Sequence, residues 1–329
     1  MNFKKVDKNK ILALSSELTK LQHYFLEKYG VDDIFSNSKI FEIITADSLG
    51  HTLIPGHSGS RDARDKDGGE IEYKHFKESS SNHSWTFNDF SDTTIEKLNQ
   101  TKSVLFTHIN DTNGFYEFDW YYEVEGSVMA RYLSKATQSI QNTRKMINVS
   151  PRQIELRLGL HKMYPPKIVN GEYTNDLNKI YSVIKKMEYE SGVANILTSN
   201  KIWELLTSIH LNHNVNSEQG GRDGAHDAFD EAGNQYEYKI SKSPSWNFQD
   251  ISENVLTKYE QIKNFVLAIK EVDSVSIKKI YIVKTDVLNR IKEKLEEKKV
   301  KKNGVLRRLQ ISLTFKDIRP YLIKEISVS

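Results

Sequence analysis

The sequence lacks cysteine, long apolar runs and a strong net charge, and the first two absences each exclude a class of protein. With no cysteine among 329 residues, disulfide frameworks, thiolate metal sites and cysteine nucleophiles are excluded. No run of about 18 apolar residues occurs, so no membrane span is expected. The N-terminal apolar stretch is interrupted by Ser15, Ser16 and Glu17 and fits neither a signal peptide nor an anchor. We expect a soluble protein of a reducing cytoplasm.

The net charge of the chain does not identify a binding partner, whereas the chain length indicates two domains. A net charge of +3 is too small to indicate a polyanionic partner by itself. A chain of 329 residues exceeds one typical domain core and fits two.

An internal repeat is the most informative feature of the chain. Three segments of the first half return in the same order in the second, namely 29–42 as 191–204, 62–74 as 227–239, and 84–91 as 245–252. Weaker similarity continues toward the C-terminus, where we align 152–160 with 309–317. Collinear copies of roughly 140 residues indicate duplication of a whole domain and not a solenoid, whose units are much shorter.

The repeat also predicts where the domains lie. We expect a first domain over 1–162 and a second over 177–329. Between them, the segment 163–176 contains two prolines and a glycine among polar residues, which is typical of a linker.

Hydrophobic periodicity predicts the same elements in each copy. In the first copy a helix ends near residue 29, a second helix covers about 38–48, and a turn at 66–69 leads into a strand over 70–74. An SW-x-F segment, a helix, an aromatic-rich strand, another helix and a final strand follow. Helices that alternate with strands around a mixed sheet predict the α/β class.

Each copy carries an aspartate, a glutamate and a lysine at the same spacing. These residues are Asp62, Glu72 and Lys74 in the first copy and Asp227, Glu237 and Lys239 in the second. Residues two apart in a strand project from one face, so the glutamate and the lysine share a surface. The hairpin places the aspartate on the opposite arm, which can bring its carboxylate beside the glutamate.

Two neighbouring carboxylates and an amine suit metal-assisted phosphodiester hydrolysis. Mg²⁺ takes oxygen ligands, keeps several waters and bridges to phosphate. The ion can stabilise the charge of the transition state and lower the pKa of a bound water, which the lysine orients or helps to deprotonate. Glu-x-Lys alone is usually a surface ion pair, so the prediction depends on the same four residue types, Asp, Gly, Glu and Lys, at identical offsets in two diverged copies.

These residues resemble the PD-(D/E)XK nuclease superfamily, and in particular type II restriction endonucleases. The resemblance covers 38–124 and 200–283 and implies, for each copy, a mixed sheet flanked by helices that cleaves DNA with a divalent metal ion. It assigns one active site to each copy, formed by Asp62, Glu72 and Lys74 or by Asp227, Glu237 and Lys239. Glu42 and Glu204 match a helix glutamate that supports the metal site in many such enzymes. The resemblance also implies a prokaryotic cytoplasm and a cognate methyltransferase.

The sequence departs from the family pattern just before the aspartates. Arg61 and His226 stand where the pattern has proline. Asp65 and Asp230, three residues further on and also shared by both copies, therefore remain alternative metal ligands.

Several other repeated or clustered side chains have two interpretations. Lys77 and Lys242 follow the catalytic lysines by three residues, and we expect phosphate binding from them. Trp85 and Trp246 could stack on DNA, but core packing at the entrance to a helix is the favoured interpretation. Four histidines before the aspartates resemble a metal cluster only loosely, and solvated loop positions are favoured for His51, His57, His210 and His213.

The two sites together predict how the chain acts on DNA. We expect a Mg²⁺-dependent type II restriction endonuclease that binds double-stranded DNA as a pseudo-dimeric monomer, with one half cutting each strand. The copies differ in loop length, since 75–84 is longer than its counterpart and 205–226 is longer than 43–61. Such loops are where base-reading groups lie, so an asymmetric target is expected.

Two alternatives remain open at this point. A repair or junction-resolving nuclease would use the same chemistry on DNA structure instead of sequence. The second alternative is a non-catalytic DNA-binding protein with a relic nuclease fold. All six acid and lysine positions are retained, which disfavours a relic.

Overall fold

A computed structural model describes the fold of most of the chain. The described residues are 6–32, 34–35, 39–54, 61–80, 82–140, 145–166, 174–197, 200–216, 226–300 and 309–328. They form two compact units, one of residues 24–182 and one that combines residues 1–23 with 183–329. In the described part of the chain, no helix is both long and apolar enough to cross a membrane.

The first half of the chain alternates helices and strands. Its elements are α1 (Lys8–Tyr29), α2 (Lys39–Leu49), β1 (Thr52–Leu53), β2 (Ala63–Arg64), β3 (Glu70–Lys77), β4 (Trp85–Phe90), α3 (Asp92–Gln100), β5 (Ser103–Asn110), β6 (Glu117–Glu125), α4 (Gly126–Ala136), β7 (Lys145–Val149) and α5 (Pro151–Leu158). Five strands form a sheet in the order β1-β2-β3-β5-β6, in which β3 and β5 are parallel and the other neighbours antiparallel. Strands β4 and β7 form a separate antiparallel pair.

The second half repeats this order of elements. It contains α6 (Thr174–Ser191), α7 (Lys201–Leu211), β8 (Asn214–Val215), β9 (Ala228–Phe229), β10 (Gln235–Ser241), β11 (Ser245–Ile251), α8 (Glu253–Tyr259), β12 (Asn264–Lys270), β13 (Ile277–Lys284), α9 (Val287–Val300), β14 (Leu309–Thr314), α10 (Phe315–Ile318), a 3₁₀ turn (Arg319–Tyr321) and β15 (Leu322–Ser327). Its sheet has the order β15-β13-β12-β10-β9-β8, and β10 and β12 are its parallel pair. The predicted α/β class with mixed sheets flanked by helices is confirmed.

The boundaries of the compact units fall inside helices α1 and α6. In the unit that contains residues 1–23, the Ser15 hydroxyl donates to the carbonyl of Val275, whose N–H donates to the Thr19 hydroxyl at 2.9 Å. In the unit 24–182, Asp176 near the start of α6 accepts a hydrogen bond from Tyr24 at 2.9 Å. The division into domains at 163–176 stays a prediction, because residues 167–173 of that segment lie outside the described residues.

A tryptophan anchors the core of each sheet in the same way. Trp85 and Trp246 are both completely buried. The indole of Trp85 donates to the carbonyl of Thr107 at 2.8 Å, and that of Trp246 to the carbonyl of Ala268 at 2.9 Å. A buried indole N–H requires such an acceptor. The core interpretation of these tryptophans is confirmed.

The alignment of the last repeated segment was wrong. Residues 152–160 lie mostly in helix α5, whereas 309–314 form strand β14. The strand that corresponds to β14 is β7, because Trp85 pairs with Val149 and Trp246 pairs with Leu313. The sequence alignment of the two copies was displaced by several residues here, because a short apolar segment is compatible with both a helix and a strand.

Candidate active sites

The hairpin of β2 and β3 holds the carboxylate of Asp62 beside the next strand. Asp62 N–H donates to the carbonyl of Ile71 at 2.8 Å, which extends the antiparallel pairing by one residue. Its carboxylate oxygen Oδ2 accepts the backbone N–H of Tyr73 at 2.7 Å. Since Tyr73 lies between Glu72 and Lys74, the backbone fixes the aspartate next to both. The predicted hairpin is confirmed.

Glu72 and Lys74 project from the same face of β3, as the alternation of a strand requires. Lys74 Nζ donates to Glu72 Oε1 in an ion pair. The glutamate side chain is 9% exposed and that of the lysine 22%. The ammonium also lies 5.2 Å from the centroid of the Phe87 ring. The pair is therefore largely withdrawn from water but still reachable from one side.

The second copy reproduces this arrangement. Asp227 N–H donates to the carbonyl of Tyr236 at 2.8 Å, and the carboxylate of Asp227 accepts the N–H of Tyr238 at 2.7 Å. Lys239 pairs with Glu237, and the exposed fractions of these side chains are 22% and 6%. Two sequences that differ at about half of the hairpin positions thus give the same hydrogen bonds.

A third carboxylate joins each cluster from the preceding helix. Glu42 on α2 and Glu204 on α7 are both shielded from solvent, and burial raises the pKa of each, that of Glu42 to about 7. The charge of Asp62 contributes to the shift of Glu42, and the charge of Glu237 to that of Glu204. The glutamates therefore lie within electrostatic range of the aspartate–glutamate–lysine groups.

Burial and mutual repulsion disfavour the charged forms of the carboxylates in each site. Burial raises the pKa of Glu72 to about 7, opposed by the charge of Lys74 and reinforced by that of Asp62. In the second site, burial and then the charge of Glu237 raise the pKa of Asp227. Burial lowers the pKa of Lys74, but the charges of Glu72 and Asp62 outweigh it and raise that pKa overall. The lysine is thus held as an ammonium donor, and a bound cation would favour the charged form of the carboxylates.

The oxygens of the two glutamates fit a divalent ion. Glu72 Oε2 and Glu237 Oε2 are buried and have no hydrogen-bond partner, although such atoms in proteins nearly always have one. Among the described residues, no group of three or more acidic or histidine side chains has metal-binding geometry. Mg²⁺ often binds through only one or two carboxylates, with waters and substrate phosphates completing its shell. An aspartate and a glutamate in each copy are sufficient for that.

Asp65 and Asp230, the alternative metal ligands, have different hydrogen-bond partners from Asp62 and Asp227. Asp65 Oδ1 accepts the N–H of Gly69 at 2.7 Å, and its other oxygen pairs with Lys102. Asp230 accepts the N–H of Asn234 at 2.9 Å and pairs with Lys263 at 3.1 Å. Both aspartates thus close the hairpin turn.

The two lysines expected to bind phosphate differ from each other. Lys77 is buried at the end of β3 and pairs with Asp111 at 3.4 Å. Lys242 lies in the exposed turn between β10 and β11. Phosphate binding by either stays a prediction.

A histidine–tyrosine pair beside each site was missed by the sequence reasoning. His51 Nδ1 lies 2.8 Å from the Tyr73 hydroxyl, and His213 Nδ1 lies 2.7 Å from the Tyr238 hydroxyl. Both histidines are partly buried, so the solvated-loop interpretation was wrong for them. A signal was present, because each follows the end of the repeated helix by two residues. His210 lies in α7, and His57 lies outside the described residues.

Comparison with known proteins finds one family similarity, which lies in the second half. Residues 172–317 match the model of the family described as restriction endonuclease PvuII. The matched residues include Glu204, Asp227, Glu237 and Lys239. No curated protein matches the chain. The chain therefore carries a PvuII-family restriction endonuclease domain in its C-terminal half, and this family implies a DNA endonuclease.

Proposed function

We propose that the chain is a Mg²⁺-dependent type II restriction endonuclease with one active site in each half. Asp62, Glu72 and Lys74 form the first site, and Asp227, Glu237 and Lys239 form the second. Each site cuts one strand of double-stranded DNA, and the single chain acts as a pseudo-dimer.

One observation carries the proposal, namely the identical hydrogen-bonded arrangement in both halves. The backbone bond to the aspartate, the glutamate–lysine pair and the unpartnered glutamate oxygen all recur. The family match covers the second copy, and the repeated geometry extends the nuclease assignment to the first. A relic site would be expected to lose at least one of these groups.

The residues of each site divide the work. Asp62 and Glu72, or Asp227 and Glu237, would hold Mg²⁺, which when bound stabilises charge on the attacked phosphate and lowers the pKa of a ligand water. The ammonium groups of Lys74 and Lys239 orient the attacking water by hydrogen bonding. Glu42 and Glu204 support the metal site from the preceding helix, and the charge of Glu42 is offset by its ion pair with Lys39.

The proposal also covers the DNA sequence that the enzyme recognises and the cellular compartment in which it acts. Because the two halves differ in their loops, they need not read the same bases, and the recognition sequence is expected to be asymmetric. The chain acts as a monomer in a prokaryotic cytoplasm, where a cognate methyltransferase protects the host DNA.

Single-site variants on supercoiled plasmid test the proposal. With Mg²⁺, the wild type should give linear DNA, whereas Lys74→Ala and Lys239→Ala should each give nicked circles only. Losing one positioned donor in an active site costs about 10²–10³ in rate, so the second cut is absent on the time scale of the first. The exposed Lys20 on α1 provides the control, and Lys20→Ala should linearise the plasmid like the wild type.

The outcomes separate the alternatives. If either site variant still linearises the plasmid in one binding event at the normal rate, the assignment of one site to each strand is refuted. Absence of Mg²⁺-dependent cleavage on unmethylated and methylated DNA alike would favour the non-catalytic binding protein. Discrete fragments from a long DNA argue against a nuclease that reads DNA structure.

A further inference from the structure

The two active sites differ at one buried position beside the catalytic glutamate. Ser91 and Ser252 begin helices α3 and α8 as N-caps, and seven residues later each helix buries a side chain against its sheet. That residue is Leu98 in the first half and Tyr259 in the second, and both are almost completely buried. Only the second site therefore has a hydroxyl group at this place.

The hydroxyl of Tyr259 is bonded to the catalytic carboxylate. It donates to Glu237 Oε1 at 3.3 Å, the same oxygen that accepts from Lys239, and it leaves Oε2 without a partner. The tyrosine ring is held edge-on against Phe248 and Phe265, with centroid distances of 6.2 and 5.2 Å. Two fixed donors thus orient the carboxylate of Glu237 with one oxygen turned away from both.

The first site holds its glutamate less firmly. Among the described residues, the side-chain donor to Glu72 is Lys74, and the leucine side chain at 98 offers none. Rotation of the Glu72 carboxylate about its last bond is therefore restrained by a single hydrogen bond. Groups that orient a metal ligand typically contribute about 10–100-fold to metal affinity or activity.

A second difference acts in the same direction. Lys39, which is buried, forms an ion pair with Glu42 and neutralises the supporting charge of the first site. Lys201 occupies the matching place in the second half, and in the described part of the chain it forms no ion pair with Glu204. The charge of Lys201 still acts on Glu204, but without an ion pair it offsets that carboxylate less directly than Lys39 offsets Glu42.

We propose that the two sites are unequal, with Tyr259 as a positioning residue that makes the second site bind Mg²⁺ more tightly and cut its strand first. The first site then completes the double-strand break more slowly and at a higher Mg²⁺ requirement. The inference rests on the proposed function, because it needs both sites to be active.

A strand-resolved assay tests this order. After the cleavage position of the wild type has been mapped, a duplex of that sequence carries a different fluorophore on each strand. Lys74→Ala and Lys239→Ala first show which strand belongs to which site. With the wild type at limiting Mg²⁺, the strand of the second site should be cut about 10-fold or more faster, and its rate should reach half-maximum at lower Mg²⁺.

Tyr259→Phe separates positioning from structure, since it removes only the hydroxyl and keeps the packed ring. It should slow the strand of the second site by about 10–100-fold at limiting Mg²⁺ and raise the Mg²⁺ needed, without changing the other strand. Tyr281→Phe, in the same core, is the matched control and should change neither strand. Leu98→Tyr should speed the slow strand at limiting Mg²⁺.

Failure of the inference can be distinguished from failure of the proposed function. Equal rates and equal Mg²⁺ dependence for the two strands in the active wild type would overturn it, as would equal slowing of both strands by Tyr259→Phe. If Leu98→Tyr does not fold, Tyr259→Phe decides alone. Absence of cleavage by every protein would instead refute the proposed function on which the inference rests.

Discussion

Replacing Asp62 by asparagine should remove the response of the first site to Mg²⁺ while the fold persists. Asp62 accepts a backbone N–H of β3 with one oxygen, and asparagine can keep that bond through its carbonyl. The amide replaces the other oxygen by a hydrogen-bond donor, which cannot bind a cation. In the metal-free protein the change also removes a negative charge that raises the pKa of Glu72 and Glu42, so we expect no loss of stability.

The size of the effect follows from linkage. An ion present at 100 times its dissociation constant stabilises the folded state by about 2.7 kcal/mol. If the Asp62→Asn change weakens binding about 100-fold, the stabilisation falls to about 0.4 kcal/mol, a loss of about 2.3 kcal/mol. For a unit of this size, that is a decrease of about 5–9 °C in the Mg²⁺-induced rise of Tm.

Asp65→Asn is the matched control, because Asp65 was the alternative metal ligand. Its carboxylate is engaged by Gly69 and Lys102 in the turn, so the Mg²⁺ response should remain even if Tm itself falls. Calorimetry with and without Mg²⁺ measures both variants, and Asp227→Asn with Asp230→Asn repeats the test in the second half. A Mg²⁺ response that survives Asp62→Asn but disappears in Asp65→Asn would refute our assignment of the ligand.

Three further predictions concern the scaffold and the flank of the site. Burial raises the pKa of Asp317, but hydrogen bonds from Lys294 and Thr314 hold it below its usual range. The stabilisation from this carboxylate is therefore present above about pH 4 and is lost progressively as pH falls from there toward the lowered pKa of the folded state. Asp317→Asn should cost about 2 kcal/mol at pH 7 and clearly less near pH 2, as denaturant titrations at both pH values would show. Leu18→Ala should destabilise the unit that contains 183–329 by about 2–5 kcal/mol and leave the stability of the unit 24–182 unchanged. Hydrogen exchange, measured segment by segment, distinguishes the two units. Tyr73→Phe removes the hydroxyl that lies 2.8 Å from His51 Nδ1 and should lower Tm by only a few degrees, which calorimetry measures, and a much larger fall would contradict this.

Local features of this protein were readable from its sequence. The hairpin turns, the strands that carry Glu72 and Glu237 and the helices that carry Glu42 and Glu204 all depend on residues a few positions apart. Strand alternation alone places each glutamate and lysine on one face. Repetition then distinguished these pairs from ordinary surface ion pairs, because the two halves changed elsewhere.

Contacts between distant residues were not readable in the same way. The bond between Tyr259 and Glu237 spans 22 residues, and the bond between Ser15 and Val275 spans 260. Neither leaves a periodic trace in the sequence, since each depends on which surfaces the chain brings together when it buries its apolar side chains. The mistaken alignment of 152–160 has the same origin, because an apolar segment acquires its helix or strand identity partly from what it packs against.

The sequence by itself determined which acids and lysines recur at the same spacing and that they meet on a hairpin. Tertiary structure alone decided which aspartate is held beside the glutamate and which one closes the turn. It also decided that a tyrosine reaches Glu237, whereas a leucine stands at the corresponding position in the first half. The physical reason is that residue type and spacing act locally, whereas the surroundings of a buried carboxylate are set by elements far away in the chain.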